Sequence, residues 1–286
     1  MIQRSEYGLI YQEDFDNTTP WSLLSGTGSI EILAGKLRIV NPSSSYWYLN
    51  SISNLKNLFI QSNAKVTQAW GYIGPICRAV QVAQNIVYAY GHWGRTGSGG
   101  DYDRLYQYLS GTPTALVNYS HGSSQRSNGS YYDIFLWIND GNYRLFCDCS
   151  QGGHTFNGSN CTQLATDKTG IFTHAPTGYS YISLYNVMKH KDIICMGLPT
   201  GWKLRINEDD NYKATESSGT ATVDCFDLVF GTIDKVEVLN ASDIVQETFE
   251  ATDDIWAGDE YTYSSLKRVI SNKFHSVEKS GGFLIQ

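Results

Sequence analysis

Residues 132–148 read YDIFLWINDGNYRLFCD, and this stretch decides the fold. Tyr132, Ile134, Leu136 and Ile138 share one face of an extended chain, and Asp133, Phe135, Trp137 and Asn139 share the other, because side chains alternate along a strand. A helix would instead repeat its apolar positions three and four apart. Asn139-Asp140-Gly141-Asn142 follows as a tight hairpin turn, where Asn, Asp and Gly accept left-handed backbone. Both faces of the first strand carry apolar rings, so parity alone does not say which one looks inward.

The same period-two pattern recurs outward from this hairpin. Lys36-Leu37-Arg38-Ile39 alternates, and in Leu58 to Val66 the positions Leu58, Ile60, Ala64 and Val66 share a face. Ala34-Gly35, Asn41-Pro42 and Gly111-Thr112-Pro113 punctuate the runs as turns. The 286 residues include 27 Gly and 20 Tyr but only 17% charged residues, a composition of turns and aromatic strands rather than charged helices. The expected class is therefore all-β, a sandwich of many short strands.

A formal net charge of −7 argues against nucleic acid as a partner, since such a binder needs a basic face to displace counterions. No apolar run is long enough for a membrane-spanning helix. Met1 to Tyr7 lacks a basic stretch followed by an apolar one, so no secretory signal is read there. Three stretches read as irregular: Gly91 to Asp103, Ser120 to Ser130 and Ser150 to Thr169. A break near Lys189-His190-Lys191 divides the chain into a first domain over residues 1–190 and a small β-sandwich over 191–263. The basic tail 264–286 has few apolar anchors and reads as a short helix, a docking arm or a frayed end.

Strand order resembles that of laminin-G-like, concanavalin-A-like jelly rolls over about residues 7–190. The residues that carry it are Glu13-Asp14-Phe15-Asp16, Trp21, Gly35-Lys36-Leu37-Arg38-Ile39, Gly71 to Arg78, Leu105-Tyr106-Gln107-Tyr108, the 132–148 hairpin and Gly178 to Tyr185. Gly197 to Arg205 and Asp254 to Asp259 resemble small immunoglobulin-like accessory domains of viral and microbial surface proteins. The resemblance implies a jelly roll whose relatives mostly bind glycans, while some cleave them. It also implies a calcium ion near the first strand, for which Asp14 and Asp16 are the candidates with Asn17 beside them. No other cofactor is expected.

The paired carboxylates that mark the glycosidases of this fold are missing from every assigned strand, and glycoside hydrolysis needs two of them. No G-x-S-x-G, P-loop or H-E-x-x-H occurs either. Aromatic surface is what the chain has in excess, and sugar rings stack their C–H faces on Trp and Tyr. Trp93 in the long loop, beside His92, Arg95, Asp101, Tyr102 and Asp103, makes one candidate glycan site. Alternatively, Trp93 pins that loop to the sandwich. Tyr106 and Tyr108 share one strand face, and Phe135 and Trp137 share another; outside, they would form stacking platforms, and inside, core. Tyr46-Trp47-Tyr48 has the same ambiguity.

Six cysteines leave pairing open. Cys149 and Cys161 flank a Gly- and Asn-rich segment that a disulfide would close. Cys147, Cys149, His154 and Cys161 form instead a set of soft ligands that zinc would accept. The expected function is a non-catalytic, glycan-binding adhesion module on a virion or cell surface, extracellular, with a glycan or cell-surface polysaccharide as partner. A structural or assembly protein, self-associating or docked to a virion partner, is the second reading. A divergent glycoside hydrolase acting through Glu13, Asp14 or Asp101 is the third.

Overall fold

The computed structural model describes residues 1–52, 55, 57–81, 85–93, 100–122, 125–161, 168–228, 233–250 and 255–264. Its first strands are β1 (Ile2–Glu6), β2 (Leu9–Gln12), β3 (Trp21–Ile32), β4 (Leu37–Leu49), β5 (Leu58–Val66), β6 (Gly71–Gln81) and β7 (Asn85–Trp93). Next come β8 (Tyr102–Leu109), β9 (Thr112–Ser120), β10 (Tyr132–Asn139), β11 (Asn142–Cys147), β12 (His154–Gly158), β13 (Lys168–His174) and β14 (Tyr179–Met188). The last are β15 (Asp192–Met196), β16 (Lys203–Ile206), β17 (Asp209–Thr215), β18 (Thr220–Asp224), β19 (Val236–Leu239), β20 (Val245–Phe249) and β21 (Glu260–Tyr263). Among the described residues every regular element is a strand, as the alternating sequence predicts.

The quoted hairpin forms in the expected register, with Asn139 opposite Asn142 and Phe135 opposite Phe146. It belongs to a large sheet that runs β12-β11-β10-β5-β14-β4-β13-β6-β7-β8-β9, with β2 added on β14 and β3 on β4. This sheet doubles over into two layers, so that β5, β10 and β11 pack against β6 and β7. The bend lies in β4. Leu37–Val40 pair with β14 in layer one, whereas Ser45–Tyr48 pair with β13 in layer two. Bulges in β3 follow the same bend, and there Gly26 has φ +95° with no room for a Cβ, which would stand 2.6 Å from the Ser44 carbonyl. Leu37, Ile60, Ile73, Val87, Leu105, Leu136 and Leu145 fill the space between the layers. The result is a jelly-roll-like sandwich.

The rest of the chain builds two four-stranded sheets, β1-β21-β15-β18 and β17-β16-β19-β20, which face each other as a smaller sandwich. Strand β1, which a boundary at residue 190 assigns to the first domain, pairs instead with β21, Ile2 opposite Tyr263. Strands β20 and β21 add to the strands expected between 191 and 239. The two sandwiches share an apolar seam. Phe59 and Phe135, on the outer face of layer one, pack with Ile193, Leu204, Phe226 and Trp256 of the second unit. The Phe59 and Phe226 rings are 5.2 Å apart. Each fully buried ring of this kind contributes about 1.5–3 kcal/mol of transfer free energy. Residues 265–286 of the expected tail lie outside the described residues.

Candidate functional site

Layer two presents an outer face made of rings. Alternation along each strand sorts its side chains: Val87, Ala89 and Trp93 of β7 and Leu105 of β8 enter the main core, while Tyr88 and Tyr90 and, on β8, Tyr106 and Tyr108 face out. Tyr46 from β4, Phe172 from β13 and Tyr72 from β6 complete the cluster. The rings pack on one another. Tyr88 stacks on Tyr90, Tyr106 and Tyr108, each at 5.8 Å between centroids, and Tyr46 stacks on Phe172 at 4.5 Å. Tyr88 and Tyr90 at the centre are buried by their neighbours, whereas Tyr46, Tyr72, Tyr106 and Tyr108 stay half-buried at the rim. Among the described residues no strand packs over this face.

Polar groups frame the rings. Ser25, Gly26, Ser43 and Ser44 of the bulged β3–β4 segment, together with Tyr46, Ile86 and Tyr108, line a cleft of about 310 Å³. At the other end Arg104 donates to the Tyr90 hydroxyl at 3.2 Å and lies 4.4 Å over the Tyr102 ring. His174 stacks on Tyr72 at 4.9 Å, and its Nδ1 accepts the Ser44 N–H at 3.1 Å. Burial pushes the Tyr46, Tyr72, Tyr88 and Tyr90 phenols up, so they remain protonated donors at neutral pH. The outward positions of β4, β6, β7, β8 and β13 carry no Asp or Glu. Such a surface can bury a flat apolar ligand face and donate hydrogen bonds to its edges.

The structure divides the candidate residues read from the sequence. Tyr102, Tyr106 and Tyr108 come together on this face. Trp93 does not: it ends β7 rather than standing in a loop, is 0% exposed, and donates Nε1–H to the Ser130 carbonyl at 3.0 Å. The strand runs on past Gly91 because the missing side chain leaves room for the Arg126 guanidinium, whose Cζ would lie 2.9 Å from a Cβ there. Asp101 is also fully buried, and its Oδ2 accepts the backbone N–H groups of Gln125 and Arg126 at 2.5 and 2.7 Å, anchoring that loop. Trp137 faces the second sandwich, where Lys191 Nζ sits 5.2 Å over its ring, so it belongs to the seam and not to an open platform. Arg95 lies outside the described residues.

Of the acids near the start of the chain, Glu13 is buried and accepts hydrogen bonds from Tyr11 Oη at 2.7 Å, Phe15 N at 3.0 Å and Trp21 Nε1 at 2.5 Å. Asp14 and Asp16 are exposed, and Asp14 Oδ1 accepts the Asp16 N–H at 3.1 Å, a local turn. Among the described residues neither belongs to a group of three His, Cys, Asp or Glu side chains within reach of one ion.

The expected disulfide is absent: all six cysteines are free. The segment between Cys149 and Cys161 is not a loop but contains β12, which returns along β11 and carries Cys161 to the opposite end of the hairpin. Cys161 lies there beside Arg78, whose Nη1 is 3.8 Å from its sulfur. The same geometry breaks the four-ligand zinc set. Cys147 enters the core between the layers, where burial pushes its thiol well above the usual range, and only Cys149 and His154 stay close.

Sequence reasoning missed Tyr72, Tyr88, Tyr90 and Phe172. The alternation in Asn85–Trp93 (NIVYAYGHW) was the available signal: two tyrosines and a histidine two apart. An aromatic face on a two-layer β-sandwich is the class these features define. No protein-family model matches the chain, and no curated protein matches it. Among solved structures it is similar to the carbohydrate-binding module CBM66 from Bacillus subtilis, at 10% identity over 59% of this chain and 95% of that one, with a TM-score of 0.46. It is also similar to the CBM2 module of the evolved Dit of Lactobacillus casei BL23 phage J-1, at 10% identity over 64% and 96% of the two chains, with a TM-score of 0.46. A third is Bacillus licheniformis beta-glucanase, at 10% identity over 65% and 100%, with a TM-score of 0.45. Similarity of this degree carries no argument about what the chain binds.

Proposed function

We propose that the chain is a non-catalytic glycan-binding module whose ligand stacks on the tyrosine face of layer two. One observation carries this reading: Tyr46, Tyr72, Tyr88, Tyr90, Tyr106 and Tyr108 form a continuous face that no strand covers among the described residues, and its outward positions hold no carboxylate. A pyranose buries its C–H face on one or two such rings while Ser43, Ser44, Arg104 and the phenols meet its hydroxyls. The engagement of Glu13 and Asp101 in local structure supports a binding role over hydrolysis. The second sandwich serves in this reading as an immunoglobulin-like accessory that covers layer one, and the module sits on a virion or cell surface.

A glycan array followed by calorimetry on the full chain tests it. The expected result is saturable binding of at least one polysaccharide class, lost in the Tyr106→Ala/Tyr108→Ala double variant while circular dichroism stays unchanged. Binding to no glycan, or binding that the double variant retains, would overturn the reading.

A further inference from the structure

Strands β9 and β12 are the two free ends of the large sheet, and the doubling of that sheet brings them near each other. Tyr119 of β9 and Phe156 of β12 are 5.4 Å apart, and Tyr143 Oη donates to the Leu116 carbonyl at 2.9 Å. Three soft donors gather at one end of this junction. His121 follows β9, His154 opens β12, and Cys149 lies in the turn between β11 and β12. One ligand atom from each lies within 4.8 Å of the others. Cys149 Sγ is 3.9 Å from His154 Nδ1, and the two imidazole rings cross at 77° with centroids 4.9 Å apart.

We propose that His121, Cys149 and His154 bind one zinc-class transition-metal ion. Two imidazoles and a thiolate select such an ion over calcium or magnesium, which take oxygen donors. A tetrahedral ion at about 2.3 Å from sulfur and about 2.0 Å from nitrogen sets those two atoms about 3.5 Å apart, so rotation of the Cys149 and His154 side chains closes the shell.

The surroundings are built for this. His121 Nε2 is 2.8 Å from Asp103 Oδ2, and the other oxygen of Asp103 accepts Arg126 Nη2 at 2.6 Å. Asp103 and Arg126 are fully buried, and Arg126 Nε is itself fixed on the Asp148 carbonyl at 2.7 Å. This carboxylate–imidazole pair sets the ring orientation and leaves Nδ1 as the nitrogen for the ion, the usual arrangement behind a metal-bound histidine. Cys149 Sγ donates to the Gly152 carbonyl at 2.8 Å. On binding, that S–H bond breaks, its proton leaves to solvent, and the sulfur–metal bond forms with no change of oxidation state. Three protein donors leave a fourth position for water or a small ligand. A groove of about 460 Å³ runs along the same junction, and its Tyr119 and Phe156 rings lie 5.0 and 6.4 Å from the His154 ring.

Cobalt titration of the reduced, chelator-stripped full chain tests the site. The expected result is one Co²⁺ per chain, with a thiolate-to-metal band in the near ultraviolet and tetrahedral bands in the visible, all displaced by Zn²⁺. Cys149→Ser should abolish the near-ultraviolet band, Cys161→Ser should keep it, and Asp103→Asn should weaken affinity about 10–100-fold as loss of a positioning partner does. X-ray absorption of the zinc-loaded wild type needs no variant to fold, and should show one sulfur and two imidazoles. No thiolate band, a band that survives Cys149→Ser, or a shell of oxygen alone would overturn the proposal. Glycan binding measured on the metal-free protein is a separate readout, so failure of either proposal leaves the other standing.

Discussion

The two layers of the N-terminal sandwich each turn a ring-covered face outward, and the two faces differ in kind. Layer one presents Phe59, Phe135 and Phe146 with Trp137, and the second sandwich covers them. Layer two presents tyrosines, and among the described residues no second sheet covers them. Phenylalanine gains by leaving water completely, whereas tyrosine keeps a hydroxyl that can be wetted or bonded at the ring edge. Ring-covered faces therefore play two parts in the proposed reading: one joins parts of the chain, and the other is left for a ligand.

Substitutions can break or sharpen that contrast. Phe135→Ala should cost about 3–5 kcal/mol of unfolding free energy in a denaturant titration, because it opens a cavity in the seam. Glycan affinity measured on the folded fraction should not move; a loss of affinity at unchanged stability would reverse the assignment of the faces. Tyr106→Ala should do the opposite, lowering glycan affinity about tenfold as removal of a half-buried stacking ring does. Tyr106→Phe, which keeps the ring, should cost less, about 0.5–1.5 kcal/mol of binding for one neutral hydrogen bond. Arg144 bridges from layer one to Asp224 at 2.9 Å and Asp227 at 3.3 Å, but both acids are about half exposed. Arg144→Ala should accordingly lower stability by no more than about 1 kcal/mol, with the effect shrinking as salt is added.

The smallest effect is a pH dependence of the open face. Burial lowers the His174 pKa below its ordinary 6.5, so the folded chain holds the ring neutral, stacked on Tyr72 and accepting from Ser44. Between the two pKa values the unfolded chain binds more protons than the folded one, so this contribution is present above pH 6.5 and is lost as pH falls through the lowered value. The Tyr72 ring resonances should shift with that titration, and His174→Gln should flatten the response. An unchanged response in the variant would remove His174 as its cause.

Much of the large sheet was legible because strand period and turn chemistry are local. The 139–142 turn fixed its hairpin, and Tyr106 and Tyr108 were placed on one strand face from spacing alone. Which way that face looked was not legible, since Phe135 and Trp137 are covered by residues 193–256, far along the chain. His154–Gly158 (HTFNG) read as loop because its composition is weak for a strand; it forms as an edge against β11. That misreading produced the Cys149–Cys161 disulfide and the wrong zinc quartet. His121 was hidden for a related reason: its nearness to His154 depends on the sheet doubling over, which no local pattern encodes.

Strand β4, claimed by both layers, has a further consequence. Its partners β13 and β14 lie far downstream, so neither layer completes its ladder until the distant chain returns. Folding dominated by such long-range pairing is slow, on the order of milliseconds to seconds. Once made, the shared strand denies the two halves a hinge. The sandwich cannot open like a book, so a ligand of the proposed kind would find the rings already ordered, that entropy having been spent during folding.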